Sequence, residues 1–169
     1  MKLLIIMISF IFSFNALGDT NKMSLKQIVE NDKWTVAEGY LGEDKMFLRY
    51  RHEIKHSTDV SKYPKAIHVF WKYEPNDSGM PSAEVNKDMG VFEEHLVNAL
   101  EVDMSGVITA IITKEGSRHW LFYSKDTNTF ASKLQSIPHK NSAYPIEIEA
   151  NNDNEWKDYF ENMYIPPRT

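Results

Sequence analysis

The chain has 169 residues, of which 42% are hydrophobic, 12% aromatic and 25% charged; this is the composition of a folded domain with a full-sized core and excludes a disordered chain. Its 24 acidic residues outnumber 19 basic ones and no Lys/Arg block is present to neutralise phosphates, so nucleic acid is excluded as a partner. The absence of cysteine excludes a disulfide scaffold, a cysteine nucleophile and a lipoprotein anchor.

The N-terminus reads as a signal peptide spanning residues 1–18. Lys2 precedes the uncharged apolar run Leu3–Phe14, and Asn15-Ala16-Leu17-Gly18 puts small residues where a signal peptidase reads them, with cleavage after Gly18. The run is too short to cross ~30 Å of hydrocarbon, and Asp19-Thr20-Asn21-Lys22 turns polar at once. The expectation is a periplasmic or secreted bacterial protein, free of the membrane after cleavage, with residues 19–169 forming one domain. Losing Lys2 leaves 18 basic against 24 acidic residues, a formal charge of −6.

Ser24-Leu25-Lys26-Gln27 has the form of a capping box opening a short helix with Leu25, Ile28 and Val29 on one face. Trp34–Glu38 reads as a strand stopped at Gly39-Tyr40-Leu41-Gly42. Lys45–Ile54 alternates with period two, so it too reads as a strand. Ala66–Tyr73 is a third strand, and Glu74–Pro81 is a loop rich in proline and glycine. Ser82 then caps a helix in which Val85, Met89, Phe92, Leu96 and Leu100 recur at helical spacing.

The densest β signal follows. Val107–Thr113 and Arg118–Tyr123 flank the turn Lys114-Glu115-Gly116-Ser117, which predicts a hairpin of central strands. Asp126 or Thr127 caps a second helix bearing Phe130, Leu134 and Ile137, ended by Pro138. Tyr144–Glu149 is a half-exposed strand that Pro145 places at a sheet edge. Asp153 caps a last helix with Trp156, Tyr159, Phe160 and Met163 on one side, and Pro166-Pro167 finishes the chain. From Ala66 onward the order is strand, helix, strand, strand, helix, strand. The expected fold is therefore α+β: a mainly antiparallel sheet with ferredoxin-like split βαβ connectivity, plus an N-terminal β-hairpin and a C-terminal helix. The edge that the N-terminal strands occupy is left open.

The sharpest chemical motif is His52-Glu53-Ile54-Lys55-His56, a literal H-E-x-x-H. On a helix its histidines share a face and can chelate zinc while the glutamate activates water. On a strand they sit about 13 Å apart and cannot share a metal. The strand pattern from Lys45 argues against a small metal-dependent hydrolase, which stands as the alternative reading. There is no Gly-rich phosphate loop and no G-x-S-x-G elbow, so neither a catalytic residue nor a cofactor is assigned.

Patterns spread along the chain carry a resemblance. They are Trp34 with Glu38-Gly39, the strand Met46–Arg51 ending in arginine, and His68-Val69-Phe70-Trp71-Lys72-Tyr73 followed by Gly79-Met80-Pro81. Arg118-His119-Trp120-Leu121-Phe122-Tyr123, Tyr144–Ile148 and Asp153–Tyr159 complete the set. In order and spacing, over about Trp34 to Tyr159, they resemble the bacterial domain of unknown function 695 family. The resemblance implies no activity that can be carried onto particular residues. Such domains are similar to the regulator of ribonuclease E activity B, a ferredoxin-like protein that binds its partner rather than catalysing, and this implies a partner-binding α+β module.

The sheet's aromatic content locates the question of function. Strands Ala66–Tyr73 and Arg118–Tyr123 carry apolar or aromatic residues on both faces, and two helices can cover only one of them. Either Trp120 and Phe122, or His119 and Tyr123, face away from those helices. The N-terminal strands or the Trp156 helix cover that second face, or it is a ligand groove or protein interface. The candidate interaction residues are His68, Phe70, His119, Trp120, Phe122 and Tyr123. The expected function is a non-catalytic protein-binding module whose partner is another protein, an immunity factor for a toxin being one form of it.

Overall fold

Gly106–Lys114 (β4) and Ser117–Ser124 (β5) pair as an antiparallel hairpin closed by Glu115-Gly116, both at positive φ (47° and 73°). That is the backbone a two-residue hairpin turn requires. Gly116 is demanded twice over, because a Cβ there would also lie 3.0 Å from the Tyr73 carbonyl oxygen. In the computed structural model, which describes residues 22–41, 44–139 and 143–163, this hairpin is the centre of one six-stranded sheet. The expected leader Met1–Gly18 and the Pro166-Pro167 end lie outside the described residues.

The other strands are β1 (Thr35–Leu41), β2 (Asp44–Tyr50), β3 (Lys65–Lys72) and β6 (Ile146–Asn152). Every pairing is antiparallel and the order across the sheet is β1-β2-β4-β5-β3-β6. The α+β class with an antiparallel sheet is as expected. β3 and β5 lie side by side with β4 and β6 outside them, and the β1–β2 hairpin extends the sheet beyond β4, the edge that sequence left open. β6 is the opposite edge, where Pro145 placed it.

Among the described residues, four helices pack on the sheet. Ser24 and Gln27 form the capping box of α1 (Leu25–Asn31), Ser82 caps α2 (Ala83–Glu101), and Asp126 caps α3 (Thr127–Ser136). The last helix, α4 (Lys157–Asn162), is held by Asp153, whose carboxylate accepts from the backbone N–H groups of Lys157 and Asp158, each at 2.9 Å. α2 and α3 lay Met89, Phe92, Leu96, Leu100 and Phe130 on Ile67, Val69, Ile108, Trp120 and Phe122. Full burial of each large side chain there contributes about 1.5–3 kcal/mol. On the other face Leu25, Ile28, Ile54, Tyr63, Trp156 and Tyr159 pack on Leu48, Tyr50, Ala66, Leu121 and Tyr123. α1, α4 and the loop 51–64 thus cover that second face over Ala66, Leu121 and Tyr123, and leave His68, Phe70 and His119 part-exposed. The N-terminal strands lie within the sheet and not over it.

β1 runs on through Gly39-Tyr40-Leu41, where the sequence reading stopped it, and the N-cap of α4 is Trp156 and not Asp153. Two further features depart from the sequence reading. In β4 the register shifts between Ile108 and Ala110, so Thr109 is an extra residue, and Ile108 and Ile111 both reach the α2 face. β2 also ends at Tyr50, four residues before the predicted Ile54. The reason is Arg51, whose side chain is buried and turns inward. Its Nε donates to Ile108 O (3.1 Å), its Nη1 to Val29 O (3.1 Å), and its Nη2 to both oxygens of Glu101 (3.1 and 2.9 Å). Turns follow at once, with Ile54 N–H bonded to Arg51 O and Thr58 N–H to Lys55 O.

Candidate functional site

Strand alternation sorts the six candidate residues. In the β3–β5 register His68 lies opposite Leu121, and Phe70 opposite His119. His68, Phe70, His119 and Tyr123 therefore share the second face, whereas Trp120 and Phe122 point to α2 and α3. Trp120 is fully buried edge-on to Phe92, with its Nε1 donating to Glu93 Oε2 at 2.8 Å, and Phe122 is buried edge-on to Phe130. Tyr123 is on the second face but under cover. Trp156 stacks on it at 3.9 Å and its hydroxyl donates to Asp153 Oδ2 at 2.6 Å. Of the six, His68, Phe70 and His119 remain part-exposed and adjacent.

These three form a connected surface with α4. Phe70 stacks on His119 with ring centroids 4.4 Å apart. His68 Nδ1 lies 2.9 Å from His119 Nε2, and His68 Nε2 lies 3.1 Å from Asp158 Oδ2, which also accepts from Asn151 Nδ2 at 3.1 Å. One proton arrangement satisfies all of these contacts. With Asp158 ionised, His68 Nε2–H donates to it, and His68 Nδ1 then accepts from His119 Nε2–H. Burial, and then His68, push His119 down to about 4, against the attraction of Asp158, so the His119 imidazole is neutral at neutral pH. The facing nitrogens are spent on each other. Among the described residues no group of three or more His, Asp or Glu side chains is disposed to hold a metal ion.

His119 gives this surface a pH dependence with a definite sign. Its folded pKa is below the ordinary value of 6.5, so the stability it contributes is fully present above 6.5 and lost as pH falls through about 4. His119→Gln is expected to reduce the loss of stability between pH 6.5 and 4, read as the shift in urea midpoint. An unchanged shift would remove His119 from the account.

The H-E-x-x-H residues do not converge. They follow the end of β2, in turns and not on a helix, and each has its own partner. His52 Nδ1 lies 2.9 Å from Thr35 Oγ1, Glu53 pairs with Lys33 at 3.2 Å, and His56 stacks on Phe160 at 4.0 Å. The geometry that makes this motif a zinc site is thus missing. Three participants were not singled out from sequence. Asp158 reaches His68 across 90 residues of chain, Asn151 is an ordinary strand residue, and Glu101 looks like the charged end of a helix. Burial pushes Glu101 up to about 7, with Arg51 and the Ile108 N–H pulling the other way.

The strand order, the two covered faces and the part-exposed histidine surface can now be set beside known proteins. No curated protein and no solved structure matches the chain. The chain does match the family of unknown function DUF695 over residues 32–164. That span takes in all six strands and α2, α3 and α4, and on it the chain belongs to the family of unknown function DUF695.

Proposed function

We propose that this protein is an exported, non-catalytic protein-binding module, and that its partner docks on the surface formed by His68, Phe70 and His119. The observation that carries the reading is the incomplete cover of the second sheet face. α1, α4 and the 51–64 loop bury one end of it, while at the other end stacked rings stay part-exposed beside the charged edge strand β6, where Lys72 pairs with Glu147. An apolar and aromatic centre with a charged rim is the anatomy of a protein interface. The leader-like N-terminus and the acidic balance support export to the periplasm or cell exterior.

Two measurements test the proposal. Purified from the exported fraction, the protein is expected to begin at Asp19; full-length protein confined to the cytoplasm would refute export. In quantitative capture from that fraction, the wild type is expected to retain a stoichiometric partner that Phe70→Glu, with an unchanged circular dichroism spectrum, loses at least tenfold. Equal capture by both would remove this surface from the interface.

A further inference from the structure

On the opposite face of the sheet, independent of the histidine surface, a cavity of about 340 Å³ opens between α2 and strands β2 and β4. Its walls include Phe47, Arg49, Asn86, Gly90, Thr113 and Arg118. We propose that this cavity binds a small organic acid, a single carboxylate on an apolar body such as an aromatic ring, with Arg118 holding the carboxylate.

The charge balance of the walls argues for it. Arg49 is paired with Glu93 Oε1, and the other oxygen of Glu93 accepts from Trp120 Nε1 at 2.8 Å, so that carboxylate is fully engaged. Among the described residues Arg118, part-buried, donates only to neutral oxygens, from Nε to Thr113 Oγ1 at 2.8 Å and from Nη2 to Asn86 Oδ1 at 2.7 Å. These two bonds fix the guanidinium plane and leave the N–H groups of Nη1 for a ligand. Burial pulls the Arg118 pKa down, with Glu93 opposing, as expected of a cation short of direct compensation. One surplus positive charge in the walls matches a monoanion. A guanidinium fork matches a carboxylate in shape.

The second argument is Gly90. It sits inside the 19-residue α2, where glycine costs ~1 kcal/mol relative to alanine, yet a Cβ there would meet nothing within 4 Å. No packing in the structure requires glycine at this position. Its effect is to keep the cavity open, with Phe47 and Ile111 as apolar walls for the ligand's body. The volume lies at the small end of the roughly 300–1,000 Å³ usual for ligand pockets, which suits one ring and its carboxylate.

Benzoate is the probe, with benzamide as its uncharged counterpart, titrated into the 15N-labelled protein. Benzoate is expected to give saturable shifts at the Gly90 amide and the Arg118 Nε–H, and benzamide less than a tenth of that response. Arg118→Gln should weaken benzoate at least tenfold. Gly90→Leu, which fills the cavity while leaving every charge in place, should abolish binding with no fall in the unfolding midpoint. Phe70→Glu on the other face should bind as the wild type does. Non-saturating shifts scattered over the surface, an equal response to benzamide, or wild-type binding by Gly90→Leu would each overturn the proposal.

Discussion

Arg51→Met is expected to lower the free energy of unfolding by about 3–5 kcal/mol, the cost of breaking a buried ion pair by removing one partner. Arg51 is 1% exposed and joins three parts of the chain. It ties the end of β2 to Ile108 O on β4, to Val29 O in the last turn of α1, and to the Glu101 carboxylate at the end of α2. Methionine fills much of the volume but supplies no donor. The substitution therefore leaves two buried carbonyls short of a bond and Glu101 without its cation. Glu101, already pushed up to about 7, then takes up a proton at neutral pH. Urea denaturation of the single variant and of Arg51→Met/Glu101→Leu checks this. The double variant should recover part of the loss, and only part, because the Ile108 carbonyl has lost its Arg51 donor, the Val29 carbonyl keeps only the Asp32 N–H, and the Ile108 N–H has lost the Glu101 carboxylate. A single-variant cost below about 1 kcal/mol would contradict the role given to Arg51.

Trp156→Ala should cost a comparable ~3–5 kcal/mol, in the range for emptying the site of a large aromatic side chain. The indole is fully buried, stacks on Tyr123 at 3.9 Å and donates from Nε1 to Tyr63 O at 2.9 Å. Its backbone is left-handed, with φ at 57°, so the chain enters α4 through a conformation that the buried ring holds in place. Without the ring, α4 loses its anchor to the sheet and Asp158 loses its position over His68. The histidine signals should therefore shift together with the fall in unfolding midpoint. Trp156→Phe keeps a stacked ring but gives up the bond to Tyr63 O and part of the indole's volume, so its expected cost is smaller, about 1–3 kcal/mol. Equal costs for the two variants would mean that the hydrogen bond, and not the packed ring, anchors α4.

The elements that were legible in sequence are those whose signal is local. Ser24 with Gln27, Ser82 and Asp126 cap helices where the pattern placed them, because a cap joins a side chain to backbone only a few residues away; Asp153 bonds the first N–H groups of α4, but the N-cap position there is Trp156. The β4–β5 hairpin was legible because a two-residue turn needs positive φ and Gly116 supplies it. Where the pattern failed, a distant residue decided the outcome. Lys45–Ile54 alternates evenly enough to read as one strand, yet it stops at Tyr50 because Arg51 finds Glu101, Val29 and Ile108 in the interior. The H-E-x-x-H motif fell in the turns this creates.

The candidate site divides along the same line. Sequence by itself determined that β3 and β5 are aromatic on both faces, that His68 and His119 lie on neighbouring strands, and that the chain is an α+β domain of acidic balance without cysteine. Period-two alternation put His68 with Phe70 and Trp120 with Phe122, but alternation is blind to which face the helices take. Only the tertiary structure decided that Trp120 and Phe122 meet Phe92 and Phe130, that Trp156 covers Tyr123, and that Asp158 arrives over His68. The physical reason is range. Caps and turns are settled by neighbours in the chain, whereas the choice of face, the end of β2 and the open cavity beside Gly90 are settled by packing between segments far apart in sequence.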